Sequence, residues 1–139
     1  MPKLTTPDRV NLNYTDIGSG RPIVMIHGWP LSGAAFADNA KVLAAAGYRV
    51  ITYDRRGFGQ SGKPRDGYDY DTLAADLDAL LTGLDLRDAV LLGFSMGGGE
   101  VARYLATRGS GRVGAAILSG SVCPALCITK DNPDGAMPR

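Results

Sequence analysis

Two periodicities alternate along the chain. Residues 9–15 switch between apolar and polar side chains, which predicts a half-buried strand. Residues 48–53 are rich in β-branched and aromatic side chains and predict another strand. Three short runs are apolar throughout, as expected of strands covered on both faces, and they comprise residues 23–26, 89–92 and 113–118. The pattern therefore predicts five strands.

Between the strands, three segments carry apolar residues at helical spacing. The first follows Ser32, a candidate N-cap, and ends at Gly47. The second follows Asp71 or Thr72 as its candidate N-cap, and the third covers residues 97–108. The residues predicted to face inward are Phe36, Ala40, Leu43, Ala44, Leu73, Leu77, Leu80, Leu81, Leu84, Val101, Tyr104 and Leu105. Strands that alternate with helices predict an α/β fold, a mostly parallel sheet flanked by helices.

Composition narrows the class of protein. The chain has 139 residues, 45% of them hydrophobic, which suits a single domain spanning residues 1–139. Its net charge of +1 excludes a nucleic-acid partner recognised by bulk charge.

The start lacks a signal peptide's apolar core and no apolar stretch is long enough for a membrane span, so we expect a cytoplasmic protein with no membrane partner. Cys123 and Cys127 lack partners for a metal site, and we expect free thiols and no metal ion.

The candidate chemistry lies in residues 93–97, Gly-Phe-Ser-Met-Gly. They fit the Gly-x-Ser-x-Gly motif, and they stand between a predicted strand and a predicted helix, which is the context that the motif requires. A turn this sharp forces Ser95 into an unfavourable backbone conformation, and glycines at Gly93 and Gly97 avoid collisions with the crossing chain. We predict that Ser95 is a nucleophile at the carboxyl edge of the sheet, at the positive end of the following helix.

Acyl transfer also requires N–H donors for the negative charge that develops on the substrate oxygen. The amide of Met96, directly after the serine, is one predicted donor. The second is expected in the loop after an earlier strand, where Gly28 and Trp29 follow residues 23–26, and the Trp29 amide is our candidate. Core packing of the Trp29 indole is an alternative role that does not conflict with use of its amide. The single histidine, His27, lies in the same loop and is interpreted as a structural residue bonded to nearby backbone.

Three segments together resemble one known family. They are residues 27–30 (His-Gly-Trp-Pro), residues 53–61 (Tyr-Asp-Arg-Arg-Gly-Phe-Gly-Gln-Ser) and residues 93–104 (Gly-Phe-Ser-Met-Gly-Gly-Gly-Glu-Val-Ala-Arg-Tyr). In this spacing they resemble the α/β-hydrolase fold, and most closely its bacterial arylesterases and cofactor-free haloperoxidases (perhydrolases). The resemblance implies hydrolysis of a small-molecule ester by Ser95 without a cofactor. It also implies oxyanion donors at Trp29 and Met96, and acyl transfer to hydrogen peroxide as a side activity.

The chain departs from that family in its catalytic triad. In the family the acid and then the histidine follow the serine, whereas no histidine follows Ser95 here. The resemblance therefore implies the amino-terminal half of such a hydrolase, a partial domain truncated after about six strands and lacking the cap. A serine without an adjacent base is a poor nucleophile, so we expect very weak esterase activity or none from the chain alone. The alternative is a noncatalytic binding or assembly module with the same fold.

Residues 57–62 suggest a different function, because they match the dinucleotide-binding pattern Gly-x-Gly-x-x-Gly. No helix is predicted directly after them, so we favour a tight structural loop over a cofactor site. Asp54, Arg55 and Arg56 are interpreted as paired charges that stabilise this loop, with a position at the substrate rim as the alternative.

The last predicted strand, residues 113–118, would lie inside the complete sheet of such a hydrolase. Without a following strand, its apolar edge is available for association. We therefore predict self-association, or pairing with a complementary half-chain. The tail, residues 122–139, shows no period and predicts a loop.

Overall fold

The computed structural model describes residues 1–122, 130, 131 and 133 of the chain. Within them the strands are β1 (Lys3–Thr5), β2 (Asn11–Gly18), β3 (Arg21–Ile26), β4 (Tyr48–Tyr53), β5 (Ala89–Phe94) and β6 (Val113–Ser119). The helices are α1 (Ala37–Ala45), α2 (Tyr70–Gly83) and α3 (Met96–Arg108), and a short 3₁₀ turn, Gly33–Phe36, precedes α1. The predictions for Cys123 and Cys127 and for most of the tail fall outside the described residues.

The strands form one sheet in the order β1-β2-β4-β3-β5-β6. The four strands from β4 to β6 in this order are parallel, and β1 and β2 add to the edge in antiparallel pairing. This arrangement confirms the predicted α/β fold with a mostly parallel sheet. Strand β1 was not predicted, because three residues are too few to show a period; it is held by its pairing with β2, in register from Lys3 opposite Asn13 to Thr5 opposite Asn11.

Hydrophobic residues pack against both faces of the central strands of the sheet. Along β3, Val24 and Ile26 pack with α2 and α3, whereas the alternate residues Ile23 and Met25 pack on the side of α1. Successive side chains of a strand point to opposite faces, so a strand buried on both sides must be apolar at every position. All but one of the predicted inward-facing residues of α2 and α3 lie in or against the larger of these clusters, and the exception, Leu73, is buried outside it. None of the described helices has the length and hydrophobicity needed to cross a lipid bilayer.

The helix starts differ from the predicted ones. The cap of α2 is Asp69, whose side chain accepts a hydrogen bond from the Thr72 N–H at 3.0 Å, so the prediction of Asp71 or Thr72 as the cap is wrong. Asp69 has extended backbone angles, as an N-cap requires, whereas Asp71 already lies inside the helix. Ser32 precedes the 3₁₀ turn and makes no side-chain cap bond.

Strand β6 lies at the edge of the described sheet. It pairs with β5 on one side, and no other described strand pairs with its second side. Ile117 and Leu118 are 49% and 50% exposed although they point to opposite faces, so both faces of this apolar strand are uncovered.

Candidate active site

A sharp turn at Ser95 joins β5 to α3. Strand β5 ends at Phe94, α3 begins at Met96, and Ser95 between them has φ +53° and ψ −117°. This positive φ is rare for a residue other than glycine and costs roughly 1–3 kcal/mol, which the surrounding structure must compensate. The abrupt turn that the Gly-x-Ser-x-Gly motif predicts is therefore present.

The glycines of the motif permit close packing around the turn. A Cβ atom added to Gly93 would lie 2.6 Å from both the Gly97 carbonyl oxygen and the Gly98 Cα. A Cβ atom added to Gly97 would collide with the carbonyl oxygen of Ile26, at the end of β3. Helix α3 therefore begins directly against the end of β3, which brings the loop after that strand close to Ser95.

The loop after β3 lies beside Ser95. A Cβ atom on Gly28 would lie 2.9 Å from the Ser95 Cβ and 3.3 Å from the Phe94 ring, so only glycine fits without movement. As the first residue of α3, Met96 has no intrahelical acceptor for its N–H. The Trp29 indole is 70% exposed, so the alternative of core packing for this side chain is wrong. The oxyanion role of the Trp29 and Met96 amides stays a prediction.

His27 is a structural residue, as interpreted from the sequence. It is buried, and its Nδ1 lies 2.9 Å from the Gly28 carbonyl oxygen, while its Nε2 accepts the Arg55 backbone N–H at 2.9 Å. Burial lowers the pKa of His27 to about 4, and the neighbouring Arg55 charge acts in the same direction. Both ring nitrogens are occupied and the ring is neutral, so His27 is not available as a base for Ser95.

The charges after β4 are paired, as predicted, but their partners include helix residues as well as the loop. The Asp54 carboxylate accepts the backbone N–H groups of Gly33 and Gln60, each at 2.8 Å. Arg55 and Arg56 are each 1% exposed, which excludes the alternative position at a substrate rim. The Arg56 guanidinium binds both oxygens of Asp76 on α2 at 2.7 Å, in a two-pronged ion pair.

Residues 57–62 form the predicted tight loop. The Gly57 N–H donates to the Gly62 carbonyl oxygen at 2.8 Å, and the next helix begins only at Tyr70. A Cβ atom on Gly59 would collide with the Asp54 carboxylate, so this negative group fills the space beneath the loop. A carboxylate in that place disfavours a phosphate there, because the two charges repel. Within the described part of the chain, no three His, Cys, Asp or Glu residues are grouped as a metal site.

Glu100 is the residue near the site that sequence reasoning missed. It lies on α3, is fully buried, and binds the Arg55 guanidinium at 2.9 Å. Its Oε1 also accepts the hydroxyl of buried Tyr53. Its spacing in the sequence could have revealed it, because Glu100 adjoins Val101 and precedes Tyr104 by one helical turn. The helix face predicted to be apolar therefore includes a carboxylate, which requires a partner when it is buried.

Comparison with known proteins agrees with this geometry. The family described as alpha/beta hydrolase fold matches residues 21–138. Non-heme chloroperoxidase CPO-A1 from Kitasatospora aureofaciens is 53% identical over 135 residues, which are 97% of this chain and 49% of that protein. The structure of a bromoperoxidase from Bacillus anthracis is 48% identical, with a TM-score of 0.92 over 98% of this chain and 50% of that one. An esterase from Exiguobacterium antarcticum is 39% identical, with a TM-score of 0.94 over 97% and 50%. The chain spans about half the length of these relatives.

Proposed function

This chain belongs to the α/β-hydrolase fold family, and we propose that it carries the nucleophile and oxyanion part of a serine esterase of the haloperoxidase and perhydrolase type. The observation that carries the proposal is the strained Ser95, at φ +53° between β5 and α3, with Gly28 of the loop after β3 directly beside it. Ser95 is half-buried at this turn, and a serine hydroxyl next to a loop with backbone donors is the arrangement that acyl transfer uses. The substrate class is a small-molecule ester.

The reaction proceeds in two steps. The Ser95 Oγ attacks the ester carbonyl carbon and loses its proton to a base, and the Trp29 and Met96 N–H groups stabilise the negative oxygen that forms. The alcohol then leaves with a proton, and an acyl group remains on Ser95. Water releases the acyl group as a carboxylic acid, and hydrogen peroxide releases it as a peracid. The relatives include a chloroperoxidase and a bromoperoxidase, which supports the peroxide branch.

The base is the missing element of this mechanism. His27 is occupied and neutral, and no histidine follows Ser95 in the sequence. The resemblance to the family assigns the acid and the histidine to the half of the relatives that this chain does not match. The second candidate function is a noncatalytic binding or assembly module, and the same lack of a base favours it.

A fluorophosphonate probe separates the two functions. We expect Ser95 to be labelled slowly by the chain alone, because the oxyanion donors act without the base, whereas turnover of a short aryl ester is very weak or absent. Ser95→Ala should remove the label, while Ser110→Ala, which alters an exposed serine in the loop after α3, should retain it. The measurement is mass spectrometry of the labelled peptide. A folded chain without label at Ser95 supports the noncatalytic module. Ester turnover equal to that of an intact esterase contradicts the proposal that this chain carries only the nucleophile and oxyanion part of the site.

The exposed strand β6 is the surface through which we propose that this chain associates with a partner. In the absence of a complementary half-chain, we expect self-association through β6, because its apolar edge and faces are open and its sequence contains no charge. Light scattering at micromolar concentration should give a mass at least twice the 14.6 kDa of one chain. Ile117→Lys should restore the monomer, and Val42→Lys, at a 69% exposed position on α1, should not. A monodisperse monomer of the unaltered chain refutes this expectation.

A further inference from the structure

A buried ion pair lies directly behind the Ser95 site. The Arg55 guanidinium donates from Nε to Glu100 Oε2 at 2.9 Å and from Nη2 to the His27 carbonyl oxygen at 2.6 Å. The three residues are each at most 1% exposed. One guanidinium therefore joins the end of β3 to helix α3, from the loop that follows β4.

Both predicted oxyanion donors are attached to this ion pair through short stretches of backbone. The His27 carbonyl stands one residue before Gly28 and two residues before Trp29. Glu100 lies about one helical turn after Met96 on α3. A shift of the Arg55 guanidinium would thus change the distance between the loop that carries Trp29 and the helix that begins after Ser95.

Resting on the proposed function, we propose that Arg55 and Glu100 are positioning residues that fix the Trp29 amide relative to Ser95. Arginine suits this role because its planar group presents several N–H donors in fixed directions, so that one side chain holds a carboxylate and a carbonyl at once. The Tyr53 hydroxyl occupies the other oxygen of Glu100 and limits rotation of the carboxylate.

Stability alone does not account for such a pair. A buried Arg–carboxylate pair is often no more stabilising than apolar side chains of similar volume, because both charges lose their hydration. The chain contains a second buried pair of the same type, Arg56 with Asp76 on α2. Arg56 also binds Asp8, and it makes no hydrogen bond to His27 among the described residues. The two ion pairs are chemically alike, but only the Arg55 pair binds the His27 carbonyl, so the Arg56 pair is a matched control.

The test compares two double variants, Arg55→Met/Glu100→Leu and the control Arg56→Met/Asp76→Leu. Two readouts are measured on each: the rate of fluorophosphonate labelling at Ser95, and hydrogen exchange of the Leu31 backbone amide, which donates to the Gly28 carbonyl oxygen at 3.0 Å within the loop that carries Trp29. Far-UV circular dichroism establishes folding. We expect the first variant to remain folded and to label at least about tenfold more slowly, since misplaced oxyanion donors lose much of their effect. Its Leu31 amide should exchange faster, because the loop that carries Trp29 is less firmly held. The control should change labelling by less than about twofold and leave the exchange of the Leu31 amide unchanged.

Each outcome bears on the proposal. If the first variant labels as fast as the unaltered chain and the exchange of the Leu31 amide is unchanged, the pair is only structural and the proposal is overturned. If that variant does not fold, Glu100→Gln, which keeps the side-chain shape, decides by the same two readouts. If the unaltered chain shows no label at all, the proposed function fails, and exchange of the Leu31 amide alone then decides the positioning role: faster exchange supports it and no change overturns it.

Discussion

Supplying the half of a relative that this chain does not match should raise its esterase turnover by at least about a thousandfold. The chain already contains the strained Ser95 turn and the loop beside it, but its only histidine is bound on both nitrogens. A base and its orienting acid typically account for several orders of magnitude of the rate of a serine hydrolase, because the hydroxyl must lose its proton as it attacks. Those residues are the ones that the family resemblance assigns to the other half.

The bromoperoxidase from Bacillus anthracis is a suitable donor, since it is 48% identical and this chain covers 50% of it. Its unmatched half is co-expressed with this chain, and hydrolysis of a short aryl ester is measured on the purified complex. Ser95→Ala in this chain should abolish the gain. Ile117→Lys should prevent it as well, because β6 is the edge where the added strands are expected to pair. A stable complex that contains both halves and has no Ser95-dependent turnover would falsify the nucleophile assignment.

The second large effect is a loss of stability in acid. His27 is neutral in the folded chain, where burial lowers its pKa to about 4 from a usual value of 6.5. The unfolded chain therefore binds a proton that the folded chain excludes as the pH falls through 6.5, and the free energy of unfolding decreases. We expect this histidine to cost about 2 kcal/mol between pH 7 and pH 5, approaching about 3 kcal/mol near pH 4.

Urea denaturation of the unaltered chain and of His27→Gln at pH 7 and pH 5 measures this effect. Glutamine does not titrate, and its amide oxygen can accept the Arg55 N–H that His27 Nε2 accepts. Burial raises the pKa of Asp76 and of Glu100, which acts in the opposite sense as the pH falls, but these groups are common to both proteins and cancel in the comparison. Equal slopes of stability against pH in the two proteins would exclude His27 as the acid-sensitive group.

The turn at Ser95 was predictable from neighbouring residues, whereas the ion pair behind it was not. The Gly-x-Ser-x-Gly motif marks the turn within five residues, and a Cβ atom on Gly93 would collide with Gly97 and Gly98, its near neighbours in sequence. In contrast, Arg55 and Glu100 are 45 positions apart, and each has other charged residues nearer in sequence. Their pairing depends on the order of the strands, which places the loop after β4 against a helix that follows β5.

By itself the sequence determined the α/β class, five of the six strands in the described sheet, the three helices and the position of the candidate nucleophile. Periodicity and turn sterics act between residues close in the chain, so they can be read without coordinates. The tertiary structure alone decided that β1 joins the sheet, that the Trp29 indole is exposed, that Gly28 touches Ser95, and that Glu100 binds Arg55. These features arise from contacts between distant segments, and the packing of the whole sheet selects which segments meet.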